Sequence, residues 1–365
     1  MKELNLVDPV DGIYYGAIEV KGYDIVRIKK LDEEKRGLPY LLPGFVDPHT
    51  HGAVGVDFID ATYERLQKME GFLRKEGVAA CLLTTVSAPL EKILKAIDTL
   101  ETYTQKNPYT IFKGVHLEGP YLNPNRRGAH ELKYIRDVNV RELEEMVSHP
   151  LVRLMTVAPE IEGFEEILEI TKKHDVVVSI GHTEASYELI EEIYNKGVRR
   201  FTHLCNGMKP LHHREVGPVG GALLNDAFVE VIVDGIHLCG EMVRIIRKLK
   251  GVEKLELITD SMAATGLGDG EYRIWGKTVH VRDGIARTED GSLAGSTLTM
   301  RKAVSLYRSF TGADHLETAK VSSYNACVDL GLKRAGRIKE GYSSLLVEIG
   351  PDFEHVKPFM NDSTR

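Results

Sequence analysis

The stretch Pro43-Gly-Phe-Val-Asp-Pro-His-Thr-His-Gly52 carries an apolar run, 41–46, directly into two histidines separated by one residue. Alternate residues of a strand point to the same face. His49 and His51 at a strand end therefore turn two imidazoles to one side, a compact supply of nitrogen ligands for a metal. Pro43, Gly44 and Gly52 frame the pair with an abrupt passage from strand to loop. A His-x-His pair alone is weak evidence, because such spacings arise by accident; its weight comes from the rest of the chain.

From that stretch onward, apolar runs alternate with amphipathic segments, the pattern of repeated βα units and a parallel sheet. Eight runs can be counted, at 41–46, 78–85, 111–117, 152–157, 176–180, 199–203, 228–233 and 255–258. Segments such as 162–174 and 184–196 space Ile, Leu and Tyr by three and four, which turns one apolar face inward as in a helix. Eight strands with helices between them predict closure into an α/β (β/α)8 TIM barrel over 44–330. A chain of 365 residues accommodates such a barrel, roughly 250 residues, with a modest second lobe. Residues 1–43 read as short strands and turns; with 331–365 they are expected to form a small β-sandwich lobe built from both termini. The Gly- and Asp-rich stretch 266–293 predicts a β-hairpin inserted after the eighth strand.

Composition narrows the function. The 54 Asp and Glu outnumber the 47 Lys and Arg, which argues against a nucleic-acid partner. No apolar run approaches the roughly 20 residues that span a bilayer, and the first residues lack the apolar core of a signal peptide, so a cytoplasmic protein without a membrane partner is expected. Cys81, Cys205, Cys239 and Cys327 lie far apart with no Cys-x-x-Cys pair, which suggests neither a disulfide framework nor a thiolate zinc site.

The unusual polar residues fall at the ends of the runs: His49 and His51, Glu118, His182, His203, His237 and Asp260. In a barrel those are the C-terminal strand ends, where catalytic groups gather. Singly, each has a bland reading, a buried ion pair for Glu118 and a satisfied core histidine for His182 or His203. Together, His49, His51, His182 and His203 with Glu118 and Asp260 at one barrel mouth read better as a single metal site.

The chain resembles the amidohydrolase superfamily and, within it, the family of N-acetylglucosamine-6-phosphate deacetylases. Besides residues 43–52, the likeness rests on His116-Leu-Glu-Gly-Pro-Tyr-Leu-Asn-Pro124, Gly128-Ala-His130, Gly181-His-Thr183, Thr202-His-Leu-Cys-Asn-Gly-Met208, Asp234-Gly-Ile-His237, Thr259-Asp-Ser261 and Ala294-Gly-Ser-Thr297. It implies that Glu118, His182 and His203 hold a main metal, that His49 and His51 support a second, and that Asp260 is the catalytic acid/base. It further implies that Asn206, Gly207, Arg214 and His237 contact substrate, with His130 a donor to the developing oxyanion, and that Arg214 reaches the site of a neighbouring subunit in a homodimer. Many superfamily members bridge two metals with a modified lysine from the fourth strand. The run 152–160 has no lysine, and Glu118 takes that place. At the C-terminal end Leu345 stands where the superfamily often has Asp, a departure confined to the small lobe.

The implied reaction is hydrolysis of N-acetyl-D-glucosamine 6-phosphate to D-glucosamine 6-phosphate and acetate, in amino-sugar catabolism. One or two divalent cations (Zn, Fe, Co, Mn or Ni suit these ligands) would supply hydroxide at neutral pH, with Asp260 moving the proton to the leaving amine. The cluster His212-His213-Arg214, near Gly217, Gly220 and Gly221, combines cationic and backbone donors for a phosphate; its plain alternative is a solvated basic turn. Two other readings stay open, a deacetylase for the galactosamine epimer and a barrel that binds a sugar phosphate without turnover.

Overall fold

The computed structural model describes residues 2–359; Met1 and residues 360–365, both assigned to the terminal lobe on sequence, lie outside the described residues. Eight parallel strands form one sheet in chain order: β1 (Phe45–Thr50), β2 (Val78–Thr84), β3 (Phe112–Glu118), β4 (Val152–Val157), β5 (Val177–Ile180), β6 (Arg200–Phe201), β7 (Phe228–Ile232) and β8 (Leu255–Ile258). Each is followed by a helix: α1 (Tyr63–Lys75), α2 (Leu90–Lys106), α3 (Val140–Val147), α4 (Phe164–Lys173), α5 (Tyr187–Asn195), α6 (Gly217–Leu224), α7 (Gly240–Lys250) and α8 (Met300–Thr311). This is the expected TIM barrel. The strands read as near-continuous apolar runs because helices cover their outer face while the packed barrel interior covers the other.

Local chemistry sets the helix ends. The Ser186 hydroxyl accepts from the Leu189 N–H at 3.3 Å to start α5, Ile190 and Ile193 bury its inner face, and Gly197 at φ +105° turns the chain away just past its end. The helix α6 differs, being buried on nearly every side. A Cβ on Gly221 would stand 2.4 Å from Ile190 of α5, and one on Gly220 2.2 Å from Val216. These two glycines are therefore packing residues inside a helix, where the sequence had offered them as backbone donors to a phosphate.

The seam between β8 and β1 closes at the strand ends. The Asp260 N–H donates to the His49 carbonyl at 2.9 Å and the His51 N–H to the Ser261 carbonyl at 2.8 Å. Below them the buried Asp47 carboxylate accepts from the Thr259 hydroxyl at 2.6 Å. Barrel closure and the candidate site thus share residues.

The apolar run 41–46 is two strands. Tyr40–Pro43 pairs in the small lobe, and the chain crosses at Gly44 into β1. A Cβ on Gly44 would meet the Leu345 carbonyl oxygen at 2.4 Å and Ala79 at 2.6 Å, so only glycine fits the crossing. The lobe is a six-stranded sheet in the order Val356–Pro358, Leu346–Ile349, Tyr40–Pro43, Lys2–Asp8, Gly12–Lys21, Asp24–Asp32. It closes over Leu4, Leu6, Tyr14, Ile18, Ile25 and Leu41. After β8 the insertion carries three antiparallel strands, Gly270–Ile274, Lys277–Arg282 and Ile285–Thr288, one more than a hairpin. Its first turn is Trp275-Gly276, both at positive φ (51° and 76°), the conformation a two-residue hairpin turn requires. Among the described residues no helix is long and apolar enough to cross a membrane.

Replacing Gly44 by Ala should cost about 1–3 kcal/mol of stability through overpacking at the crossing, measured by urea unfolding. An unchanged midpoint would mean that lobe and barrel are not locked together there.

Candidate active site

Strand ends here are bent sharply. His182, His203 and Asp260, each just past a strand, have φ of +49°, +29° and +49°. Residues other than glycine rarely adopt this region, and such strain collects at functional sites. The bend takes each side chain off the strand's alternation and turns it to the barrel axis, where Glu118 at the end of β3 waits.

Five imidazoles converge on that one buried carboxylate. Glu118 Oε1 lies 3.1 Å from His182 Nε2, 3.0 Å from His203 Nε2 and 3.5 Å from His49 Nε2. Its Oε2 lies 3.2 Å from His130 Nε2 and 3.3 Å from His51 Nε2. Asp260 Oδ1 sits 3.2 Å from His51 Nε2 and 3.5 Å from His49 Nε2. Burial alone would raise the pKa of Glu118; the histidines around it, His49 foremost, hold it well below the usual range. Asp260 is likewise lowered, burial being outweighed by His49 and His51.

Tautomers follow from the second nitrogen of each ring. His182 Nδ1 faces the Arg126 carbonyl at 2.6 Å and His203 Nδ1 the Asn206 carbonyl at 3.1 Å. Both Nδ1 atoms must donate, which leaves both Nε2 lone pairs turned inward, 3.1 Å apart. Three acceptors, the two Nε2 atoms and Glu118 Oε1, then crowd one point that only protons or a cation can neutralise. That donor set fits a divalent cation. A second group, His49, His51 and Asp260, also holds its ligand atoms within 4.8 Å of one another, and the buried His49 Nε2 makes no hydrogen bond.

The remaining sequence candidates divide. His130 Nδ1 accepts from the Ser87 N–H at 3.1 Å, so its Nε2 carries the proton and points into the site; burial pulls its pKa down to about 4 and keeps the ring neutral. Asn206, Gly207 and His237 line the same cavity of about 330 Å³. Gly207 is at φ +59°, and a Cβ there would stand 2.9 Å from His182 Nδ1. His237 gives its Nδ1 proton to Asp234 at 2.6 Å, leaving Nε2 for a ligand. Arg214 is exposed, 2.9 Å from His213 Nε2, and is not part of the cavity wall within this chain.

Three features went unnoticed on sequence. The only tryptophan of the chain, Trp275, is carried by the insertion's turn to the cavity wall, edge-on to His51 with 5.2 Å between ring centroids. Its buried indole N–H has no hydrogen-bond partner among the described residues. Glu230 in β7 lies beneath the histidines, and the fully buried Arg200 in β6 lies beside it at 2.7 Å. Charged residues inside apolar runs, Arg200, Glu230 and Glu256 on three successive strands, were the available signal.

The amidohydrolase family model matches residues 40–362, the whole barrel. The chain belongs to the amidohydrolase family. A solved N-acetylglucosamine-6-phosphate deacetylase from Thermotoga maritima superposes on this amidohydrolase with a TM-score of 0.90 at 45% identity, over 97% of this chain and 95% of that one. The Bacillus subtilis (strain 168) N-acetylglucosamine-6-phosphate deacetylase is 37% identical over 324 residues, 87% of this chain and 82% of that protein. The N-acetylgalactosamine-6-phosphate deacetylase of Escherichia coli O157:H7 is 34% identical over 320 residues, 86% and 85% of the two.

A single tryptophan against His51 makes the site self-reporting. Titrating zinc into metal-free protein should shift the intrinsic fluorescence of Trp275, and the signal should vanish in Trp275→Phe. A flat titration in protein that demonstrably takes up zinc would separate the insertion from the site.

Proposed function

We propose that this amidohydrolase hydrolyses N-acetyl-D-glucosamine 6-phosphate to D-glucosamine 6-phosphate and acetate, a step of amino-sugar catabolism. The observation that carries the reading is the placement of the Asp260 carboxylate, 3.2 Å from His51 and beside the Glu118, His182, His203 cluster, in a chain that resembles deacetylases over nearly its full length.

Glu118, His182 and His203 would hold a main cation, with His49 and His51 supporting a second beside Asp260; zinc, iron, cobalt, manganese or nickel suits these ligands. A divalent cation in such a site lowers the pKa of water from about 15.7 to about 7 and polarises a carbonyl. Asp260 takes the proton of the attacking water and returns it to the amine, which must be protonated to leave. The His130 Nε2–H is fixed toward the cavity by Ser87 and is the donor for the developing oxyanion. Asn206, Gly207 and His237 hold the sugar. Arg214, exposed and outside the cavity wall of its own chain, would supply the phosphate contact across a homodimer. The cysteines of the described structure are all unpaired thiols, which suits a reducing cytoplasm.

Asp260→Asn should lower turnover about 10²–10⁴-fold while elemental analysis still finds the cation held by Glu118, His182 and His203; full activity would sink the mechanism, while metal-replete wild-type protein inert toward every acetylated hexosamine phosphate would favour a binding protein. Acetate release from the gluco and galacto epimers, compared at equal metal load, decides between the two deacetylase readings.

Arg214→Ala should reduce kcat/KM for the phosphorylated sugar about 10- to 100-fold, the worth of one or two charge-assisted hydrogen bonds. The rate on the unphosphorylated sugar should stay the same. Mixing Arg214→Ala with Asp260→Asn protein should restore part of the activity if Arg214 serves the neighbouring site, and sedimentation should give a dimer mass; a monomer that is fully active would overturn that placement.

A further inference from the structure

Beneath the candidate site the barrel interior holds charge that the proposed reaction does not use. Arg200, Glu230 and Glu256 come from β6, β7 and β8, and all three are buried to within 1% of complete. Glu230 and Glu256 are direct neighbours across the β7–β8 ladder. Arg200 lies 2.7 Å from a carboxylate oxygen of each and also pairs with Asp329. Burying a guanidinium and like-charged carboxylates is costly unless the geometry is specific, so the contacts of each oxygen are informative.

The two oxygens of Glu230 face different ways. Oε1 accepts from Arg200 Nη2 at 2.7 Å. Oε2 accepts from His49 Nδ1 at 3.0 Å and from the His203 backbone N–H at 3.1 Å. A single oxygen thereby touches both halves of the site: the ring of His49 and the strained peptide, at φ +29°, that aims His203. With its Nδ1–H committed to a carboxylate, His49 turns its Nε2 toward Glu118 and Asp260, 3.5 Å from each, and that is the nitrogen left to take a cation in place of a proton.

We propose that Glu230, anchored by Arg200, is a positioning residue that fixes the tautomer of His49 and so makes the group His49, His51 and Asp260 competent for the second cation. This rests on the two-cation reading given above. A carboxylate on the far nitrogen of a ligating histidine sets its orientation and basicity, and its loss commonly weakens metal affinity 10- to 100-fold.

Glu230→Gln is the discriminating change. It keeps the shape but offers one acceptor oxygen, so an amide N–H must face either Arg200 or the His49 and His203 donors. Metal per chain is measured after equilibrium dialysis against zinc, with His49→Gln and Glu256→Gln alongside. The wild type should hold two equivalents, Glu230→Gln and His49→Gln one at the same free zinc, and Glu256→Gln two, since Glu256 shares the Arg200 contact without bonding His49. Equal loss in Glu256→Gln would reduce the effect to the buried charge network in general and overturn the inference, as would two undiminished equivalents in Glu230→Gln.

The tautomer is read separately, by nitrogen-15 NMR of the ring nitrogens of zinc-loaded protein, in which the ion displaces any proton from a ligating nitrogen. Wild-type His49 should be protonated at Nδ1 alone and should lose that preference in Glu230→Gln. Protonation at Nε2 in the wild type would overturn the inference without any variant. A wild type that holds one equivalent would instead remove the two-cation reading, and the tautomer would still decide whether Glu230 sets His49.

Discussion

A carboxylate at the end of β3 with five imidazole nitrogens within 3.5 Å is the constraint around which this barrel is organised. Glu118 is only 3% exposed, and a carboxylate so far from water persists only with partners that hold its charge. The partners come from β1, β5, β6 and the loop after β3. No two neighbouring strands could deliver them, whereas a closed barrel brings all of its C-terminal ends to one mouth. The architecture supplies the convergence, and the bent residues at 182, 203 and 260 supply the aim.

Second nitrogens do much of the selection. Four of the five rings that face the centre are held from behind: by backbone carbonyls for His182 and His203, by a carboxylate for His49 and by a peptide N–H for His130. The first three leave a lone pair pointing inward and the fourth a proton. One residue type is thus divided into ligands and a hydrogen-bond donor by its surroundings alone, which lets a histidine-rich pocket bind a cation and still offer an N–H to a carbonyl oxygen.

The barrel was legible in the sequence because parallel strands covered on both faces must be apolar throughout, and the ligand candidates because polar residues at the ends of such runs stand out. The run 41–46 reads as one apolar stretch and holds parts of two strands, since hydrophobicity says nothing of which sheet a strand joins; the steric demand at Gly44 is what fixes the crossing. The third strand of the insertion was missed because 285–288 is short and mixed in character. Trp275 was missed because its role depends on where a two-residue turn points it. Arg200, Glu230 and Glu256 sit within runs, at positions that a reading of strand ends passes over. Arg214 was singled out through resemblance, and in the structure of one chain its surroundings are solvent and His213.

The hydrogen bonds that close the barrel between β8 and β1 join Asp260 to His49 and His51 to Ser261, residues of, or adjacent to, the second candidate ligand group. A cation shared by His49, His51 and Asp260 would act as a rivet across that seam. Its binding energy would appear as resistance of the whole barrel to opening, about 2.7 kcal/mol when the free ion is at a hundred times its dissociation constant. Metal supply would then govern how long the enzyme survives as well as whether it works, because the place where the fold is joined is also the place where the ion is held.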